Sequence, residues 1–312
     1  MELGDYDVVV IGAGLAGLTA GLFAARHGHS TLVLESGVPG GQLVNVEKIE
    51  DFPGFPEGIA GYELGPIVQE QAEKQGAEFQ MAEAYNLEAD GPHWLLATNA
   101  GKCRAKAVIV AVGSRLKQLG IPGESRLCGK GVSHCATCDG PLFKDKVVGV
   151  VGGGDSALQE ALTLVSYASQ VILFHRRSTF SAQHVFQQRV SDHPKFSVRY
   201  NTVVEEILGD DVVTGVRTRD VTTDERTQVD ISGVFLYAGL EPNTAFLRGI
   251  MRVDAGGHIP TDAWMRTELP GVFAAGDVRQ NSAGQAIISA GDGAVAAIAA
   301  HHYIKDKAWP TV

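Results

Sequence analysis

Asp7-Val8-Val9-Val10-Ile11-Gly12-Ala13-Gly14-Leu15-Ala16-Gly17 decides the fold. Four β-branched residues follow one another with no polar alternation, which suits a strand buried on both faces. Glycines then fall at a G-x-G-x-x-G spacing, and an Ala/Leu-rich helix is expected over Leu18 to His27. A second strand, Thr31 to Leu34, ends at Glu35. Strand, glycine turn, helix, strand and acid stand in the order of a dinucleotide-binding unit. The glycines let a pyrophosphate approach the backbone, and the free N–H groups at the helix N-terminus favour an anion. Glu35 is placed to accept a hydrogen bond from a ribose hydroxyl.

The pattern recurs further along. Val147 to Val151 leads into Gly152-Gly153-Gly154-Asp155-Ser156-Ala157, then a helix to about Tyr167 and a strand over Val171 to Phe174. Glu35 lies 18 residues after Gly17, and His175 lies 18 residues after Ala157. Where the first unit has an acid, the second begins His175-Arg176-Arg177. A carboxylate there repels a 2′-phosphate, whereas arginines attract one through charge-assisted bonds. The first unit should therefore take FAD or an NAD-type ribose, and the second should prefer NADPH.

Gly271 to Asp277 reads as a short apolar strand ending in a Gly-Asp turn, ahead of a long Ala-rich helix from about Gln285 to Tyr303. Asp277, at a strand end beside such a helix, is well placed for a sugar-chain hydroxyl. The expected fold class is α/β with two Rossmann-like domains, the second inserted into the first. The expected pieces are residues 1–114, 115–246 and 247–312, with hinges near Val112-Gly113-Ser114 and Ala238-Gly239-Leu240.

The totals narrow the function. The chain has 312 residues and a net charge of -10, which argues against general nucleic-acid binding. Apolar stretches are interrupted by glycine and charge, so no membrane span is expected. No basic-then-apolar stretch precedes the first strand, and four cysteines are too few for a secreted disulfide framework. A cytoplasmic protein is expected. His301 and His302 read as surface residues near a helix end, where imidazolium suits the dipole.

Between the two units lies His134-Cys135-Ala136-Thr137-Cys138-Asp139-Gly140. The C-x-x-C spacing alone leaves open a metal ligand pair, an inert buried pair or a redox disulfide. Zinc wants four ligands, while Cys103 and Cys128 stand isolated and His134 directly adjoins Cys135. No metal is expected. Asp139 is the only carboxyl within the motif and so its natural proton carrier.

The FAD-type fingerprint, Gly40-Gly41-Gln42-Leu43, Cys135 to Asp139, Gly152 to Ala157, His175 to Arg177 and Gly276-Asp277 occur in one order. In this the chain resembles the low-molecular-weight, bacterial-type thioredoxin reductases, essentially from end to end. The resemblance implies a homodimer that carries electrons from NADPH through FAD and a Cys135/Cys138 disulfide to thioredoxin or a thioredoxin-like protein. In that family the cysteine pair and the nicotinamide take turns at the flavin by rotation of one domain. It implies that Cys138 faces the flavin, Cys135 attacks the partner disulfide and Asp139 protonates the leaving thiolate. FAD would be lined by Gly12, Ala13, Gly14, Gly17, Glu35, Gly40, Gly41, Gln42, Asp277, Gln285 and Ala286. NADPH would be held by Gly152, Gly153, Gly154, Asp155, Ser156, His175, Arg176 and Arg177.

Three positions depart from the family pattern. Ser181 stands where a further arginine often follows the His-Arg-Arg motif, so one phosphate contact worth about 1–3 kcal/mol is lost. Gly284-Gln285-Ala286 and Glu50-Asp51-Phe52-Pro53-Gly54 differ from the usual Arg-Gln-Ala and Glu-Asn segments beside the flavin. These departures keep two alternatives in view: an FAD-dependent dithiol oxidase using oxygen, and a related enzyme with a donor other than NADPH.

Overall fold

The computed structural model of the protein describes residues 2–307 and Trp309. The chain opens with β1 (Glu2–Ile11), α1 (Leu15–Arg26), β2 (Thr31–Glu35), α2 (Gly61–Lys74) and β3 (Glu78–Met81). Strands β4 (Ala84–Asp90), β5 (His93–Thr98) and β6 (Gly101–Val110) follow, then the short β7 (Ser114–Leu116). Next come β8 (Val132–Ser133), α3 (Ala136–Asp139), β9 (Val147–Val151), α4 (Asp155–Leu164) and β10 (Gln170–Phe174). After them are α5 (His184–Asp192), β11 (Phe196–Arg199), β12 (Thr202–Leu208), β13 (Gly215–Asp220), β14 (Arg226–Asp230) and β15 (Gly233–Leu236). The chain closes with β16 (Leu240–Pro242), β17 (Val272–Ala274) and α6 (Ala286–Asp306).

These elements form two compact units, one of residues up to Arg115 together with those from Glu241 onward, the other Leu116–Leu240. In the first unit the sheet order is β3-β2-β1-β6-β5-β4, and β17 pairs with the end of β6. β1 lies parallel to both β2 and β6. Its unbroken apolar run has a direct cause. Val8 and Val10 pack into one core with α1 and α6, while Val9 and Ile11 pack into a second core on the opposite face. A strand covered on both sides has no face left for polar residues. On the α6 side the two helices touch through backbone: a Cβ on Gly293 would lie 2.0 Å from the Ala16 carbonyl oxygen.

The second unit repeats the scheme with a parallel sheet in the order β11-β10-β9-β15-β8. Val148, Val150, Val171 and Leu173 meet α4 and α5 on one face. Ile172, Phe174, Val234 and Leu236 meet Val204, Val216 and Val229 of a separate antiparallel sheet, β12-β13-β14, on the other. That sheet takes the place of the helices that would otherwise cover this face. The glycine-turn pattern carries no sign of it, because its strands are joined by hairpins and not by nucleotide loops.

β7 and β16 pair with each other as a two-stranded ribbon. Gly113 and Gly239 at its ends have φ of 56° and 108°, a backbone conformation open to glycine at no steric cost. His301 is not a free surface imidazole: its ring stacks on His27 at 4.3 Å between centroids, and its Nδ1 lies 3.0 Å from His29 Nε2. Burial, then the neighbouring imidazoles, push its pKa below the ordinary histidine value. His302 is exposed, as expected.

Candidate active site

In the first unit the fingerprint folds as a tight turn from β1 into α1. Gly12 has φ of 102°, and a side chain on Gly17 would strike the Gly12 carbonyl oxygen at 1.8 Å, so the G-x-x-G pair holds turn and helix together. Gly14, the residue before the helix, offers no side-chain cap, and a Cβ there would meet nothing within 4 Å. An uncapped helix start with open space above it is the cradle that a pyrophosphate needs. Glu35, at the end of β2, accepts hydrogen bonds from the Ala13 N–H (2.6 Å) and the Gly37 N–H (2.7 Å). Those contacts fix its carboxylate beside the glycine turn and leave lone pairs for a ribose hydroxyl.

Gly40 donates its N–H to the Ala13 carbonyl at 2.8 Å, and the Gln42 side-chain amide donates to the Ser114 carbonyl at 3.0 Å. The Gly40 to Gln42 segment is thus tied to the fingerprint from one side. On the other side, Asp277 Oδ1 accepts from the hydroxyls of Ser282 (3.0 Å) and Ser289 (3.4 Å). Gln285 is the residue before the first turn of α6, and Ala286 opens it. The residues present therefore fit FAD: an anion cradle, an anchored acid and a second acid at a strand end. The pair that shapes this last corner leaves no mark in the sequence pattern. Asp292 of α6, 6% exposed, accepts from the Gly276 N–H and from Arg279 through both carboxylate oxygens. Its signal was hidden because an aspartate in an Ala-rich helix reads as a solvated position.

The second unit places α4 behind Gly154, again with no side-chain cap and with nothing nearer a Cβ there than Ser181 Oγ at 3.9 Å. Asp155 accepts from the backbone and side-chain N–H groups of Gln183, and so binds the start of α5 to the start of α4. Arg176 and Arg177 are exposed at the end of β10. His175 is buried instead: its ring lies where a Cβ on Gly153 would be, and its Nε2 pairs with the Thr179 carbonyl. Burial lowers its pKa. Ser181 donates its backbone N–H and its hydroxyl to the Gly153 carbonyl, so it fastens the glycine turn. The uncapped α4 start with two arginines at the neighbouring strand end fits NADPH.

In the same unit Cys135 and Cys138 are joined in a disulfide. Cys135 caps the short α3: its Sγ accepts from the Cys138 N–H at 3.1 Å. Cys138 is exposed and Cys135 half-buried. Asp139 Oδ2 accepts from the Ser133 hydroxyl at 2.6 Å, and that hydroxyl accepts the Cys135 N–H at 3.1 Å. Cys103 is buried, which pushes its thiol pKa up to about 11, while Cys128 is a free exposed thiol. Among the described residues, no group of three or more His, Cys, Asp or Glu side chains could hold a metal ion. No described helix is long and apolar enough to cross a membrane.

Residues 6–293 match the pyridine nucleotide-disulphide oxidoreductase family. The chain belongs to it. Among curated relatives, the thioredoxin reductase of Bacillus subtilis is 40% identical over 96% of this chain and 95% of its own length. That of Treponema pallidum is 41% identical over 96% and 97%. The crystal structure of the Lactococcus lactis thioredoxin reductase is similar with a TM-score of 0.94, at 40% identity, covering 96% of this chain and 99% of that one. The chain is an FAD-containing, NADPH-dependent disulfide oxidoreductase, with two Rossmann-like nucleotide units of the kind seen in those structures.

Proposed function

We propose that the chain is a thioredoxin reductase, passing electrons from NADPH through FAD and the Cys135/Cys138 disulfide to thioredoxin or a similar small dithiol protein. When bound, FAD and NADPH supply the hydride transfer and the electron pair that opens the disulfide. The chain's own residues do the rest. Gly12, Ala13, Gly14, Gly17, Glu35, Gly40, Gly41, Gln42, Asp277, Gln285 and Ala286 are assigned to FAD. Gly152, Gly154, Ser156, Arg176 and Arg177 are assigned to NADPH contacts, with Gly153, Asp155 and His175 shaping the loop that carries them.

The observation that carries the reading is the Cys135–Cys138 disulfide itself, set in the unit that also holds the second nucleotide loop. Once reduced, the Cys135 sulfur has the Cys138 N–H to stabilise a thiolate. That thiolate attacks one sulfur of the partner disulfide and forms a mixed disulfide. The second partner sulfur leaves and takes a proton from Asp139, whose carboxyl is oriented by Ser133. Cys138 then attacks the Cys135 sulfur, which releases the reduced partner and restores the intramolecular bond. Likeness to thioredoxin reductases over nearly the whole chain supports thioredoxin as the partner. A homodimer in the cytoplasm completes the proposal.

Cys135→Ser tests the assignment. The variant should still accept hydride from NADPH and lose reduction of oxidised thioredoxin by at least a hundredfold. Retention of that reduction would remove Cys135 from the exchange step.

A further inference from the structure

The amide that follows Cys135 is held by a buried carboxylate which the reaction as described does not use. Glu160 on α4 is 8% exposed, and its Oε2 accepts from the Ala136 N–H at 2.7 Å and from the Tyr237 hydroxyl at 2.9 Å. Tyr237, also 8% exposed, lies just past β15. Two donors converge on one carboxylate oxygen, an arrangement that a negative charge there strengthens. Ala136 is fully buried at the first position of α3, so the carboxylate is bonded to the amide that directly follows Cys135.

We infer that Glu160 is a positioning residue of the redox pair: it fixes the Cys135 turn and, through its charge, disfavours the Cys135 thiolate and makes the disulfide harder to reduce. Reduction breaks the Sγ–Sγ bond with two electrons and leaves two sulfurs that bind protons or stay ionised. The Cys138 N–H favours ionisation at Cys135, and a second anion buried beside it opposes it. Asp139 and His134 flank the cysteines, and the Tyr237 phenol shares the Glu160 oxygen. His134 pairs through Nδ1 with the Leu236 carbonyl and Asp139 with Ser133, so each has its own partner. Burial and then the Glu160 charge hold the Tyr237 phenol well above its ordinary pKa, so it stays a donor.

This inference rests on the disulfide-reductase reading of the same site, but its test needs no thioredoxin. A normal couple in a protein that fails to reduce thioredoxin would sink the choice of partner and leave the role of Glu160 intact. The full-length FAD-loaded protein is equilibrated with dithiothreitol redox buffers and quenched with a maleimide. Peptide mass spectrometry then reads Cys135 and Cys138 apart from Cys103 and Cys128. Glu160→Gln keeps both acceptor contacts and removes the charge. At pH 8.5 it should shift the equilibrium toward the dithiol by about three- to tenfold, which is about 15–30 mV. The shift should shrink at pH 6, because protonation of the thiolates removes the charges on which Glu160 acts, and Cys135 alkylation at pH 7 should quicken. Tyr237→Phe keeps the charge and should stay within twofold of the unaltered protein. If Glu160→Gln is not recovered folded, Glu160→Asp carries the test and should also stay within twofold. No shift in Glu160→Gln, a shift of equal size at both pH values, or a tenfold shift in either charge-retaining variant would overturn the inference.

Discussion

Removing one arginine from the second nucleotide unit should change how strongly the protein distinguishes NADPH from NADH. Arg176 and Arg177 stand exposed at the end of β10, in the place corresponding to Glu35 of the first unit. A charge-assisted hydrogen bond to a 2′-phosphate contributes about 1.5–3 kcal/mol. Water competes for an exposed guanidinium, which brings the expected loss in Arg176→Ala down to about 1–2 kcal/mol. That is roughly a five- to thirtyfold rise in the NADPH concentration needed for half-maximal flavin reduction. NADH has no 2′-phosphate, so its requirement should move by less than about twofold, since the removed contact is one it never makes. The assay is anaerobic stopped-flow mixing with each nucleotide in turn, following loss of the flavin absorbance. Ser181 is neutral, and its hydroxyl and N–H are both donated to the Gly153 carbonyl. Compensation from that position is therefore not expected. Equal loss for NADPH and NADH would refute the reasoning and place recognition of the phosphate elsewhere.

Two further outcomes follow from packing and charge. Gly293→Ala forces a methyl to within 2.0 Å of the Ala16 carbonyl, so α1 and α6 must part. The expected cost is about 3 kcal/mol of overpacking, seen as a melting temperature lower by roughly 6–10 °C and as reduced FAD content; an unchanged melting temperature would contradict the close approach. His29 and His301 have pKa values below the ordinary 6.5 or so of free histidine, chiefly through burial. The unfolded chain therefore binds more protons than the folded one below that value, and stability falls as pH drops from about 6.5 through the folded pKa values. His301→Gln should flatten that acid-side loss in melting temperature, and an unchanged slope would mean that the imidazole cluster does not govern it.

Much of the fold was legible because its signals are local. The glycine spacing after a β-branched run, the 18-residue interval to Glu35 and its repetition before His175 each depend on neighbours in sequence. Helix limits shifted by a few residues, since an uncapped start has no side chain to mark it: α1 begins at Leu15 and not at Leu18, and α4 at Asp155 and not at Ala157. What could not be read were contacts made across the fold. Asp292 has no partner near it in sequence, yet it is buried against Gly276 and Arg279. Glu160 and Tyr237 are 77 residues apart and meet only once β15 lies beside β9. Ser133 precedes the C-x-x-C motif closely enough to be noticed, but only the turn of α3 brings its hydroxyl to Asp139.

The central claim is electron transfer from NADPH to a protein disulfide through this chain's own cysteine pair. Anaerobic mixing of the FAD-loaded protein with NADPH, followed by oxidised thioredoxin, tests it most directly. The account predicts rapid bleaching of the flavin by NADPH, then return of the colour with one thioredoxin disulfide reduced per two electrons. A flavin that NADPH fails to bleach, or a bleached flavin that stays reduced when oxidised thioredoxin is added, would contradict it.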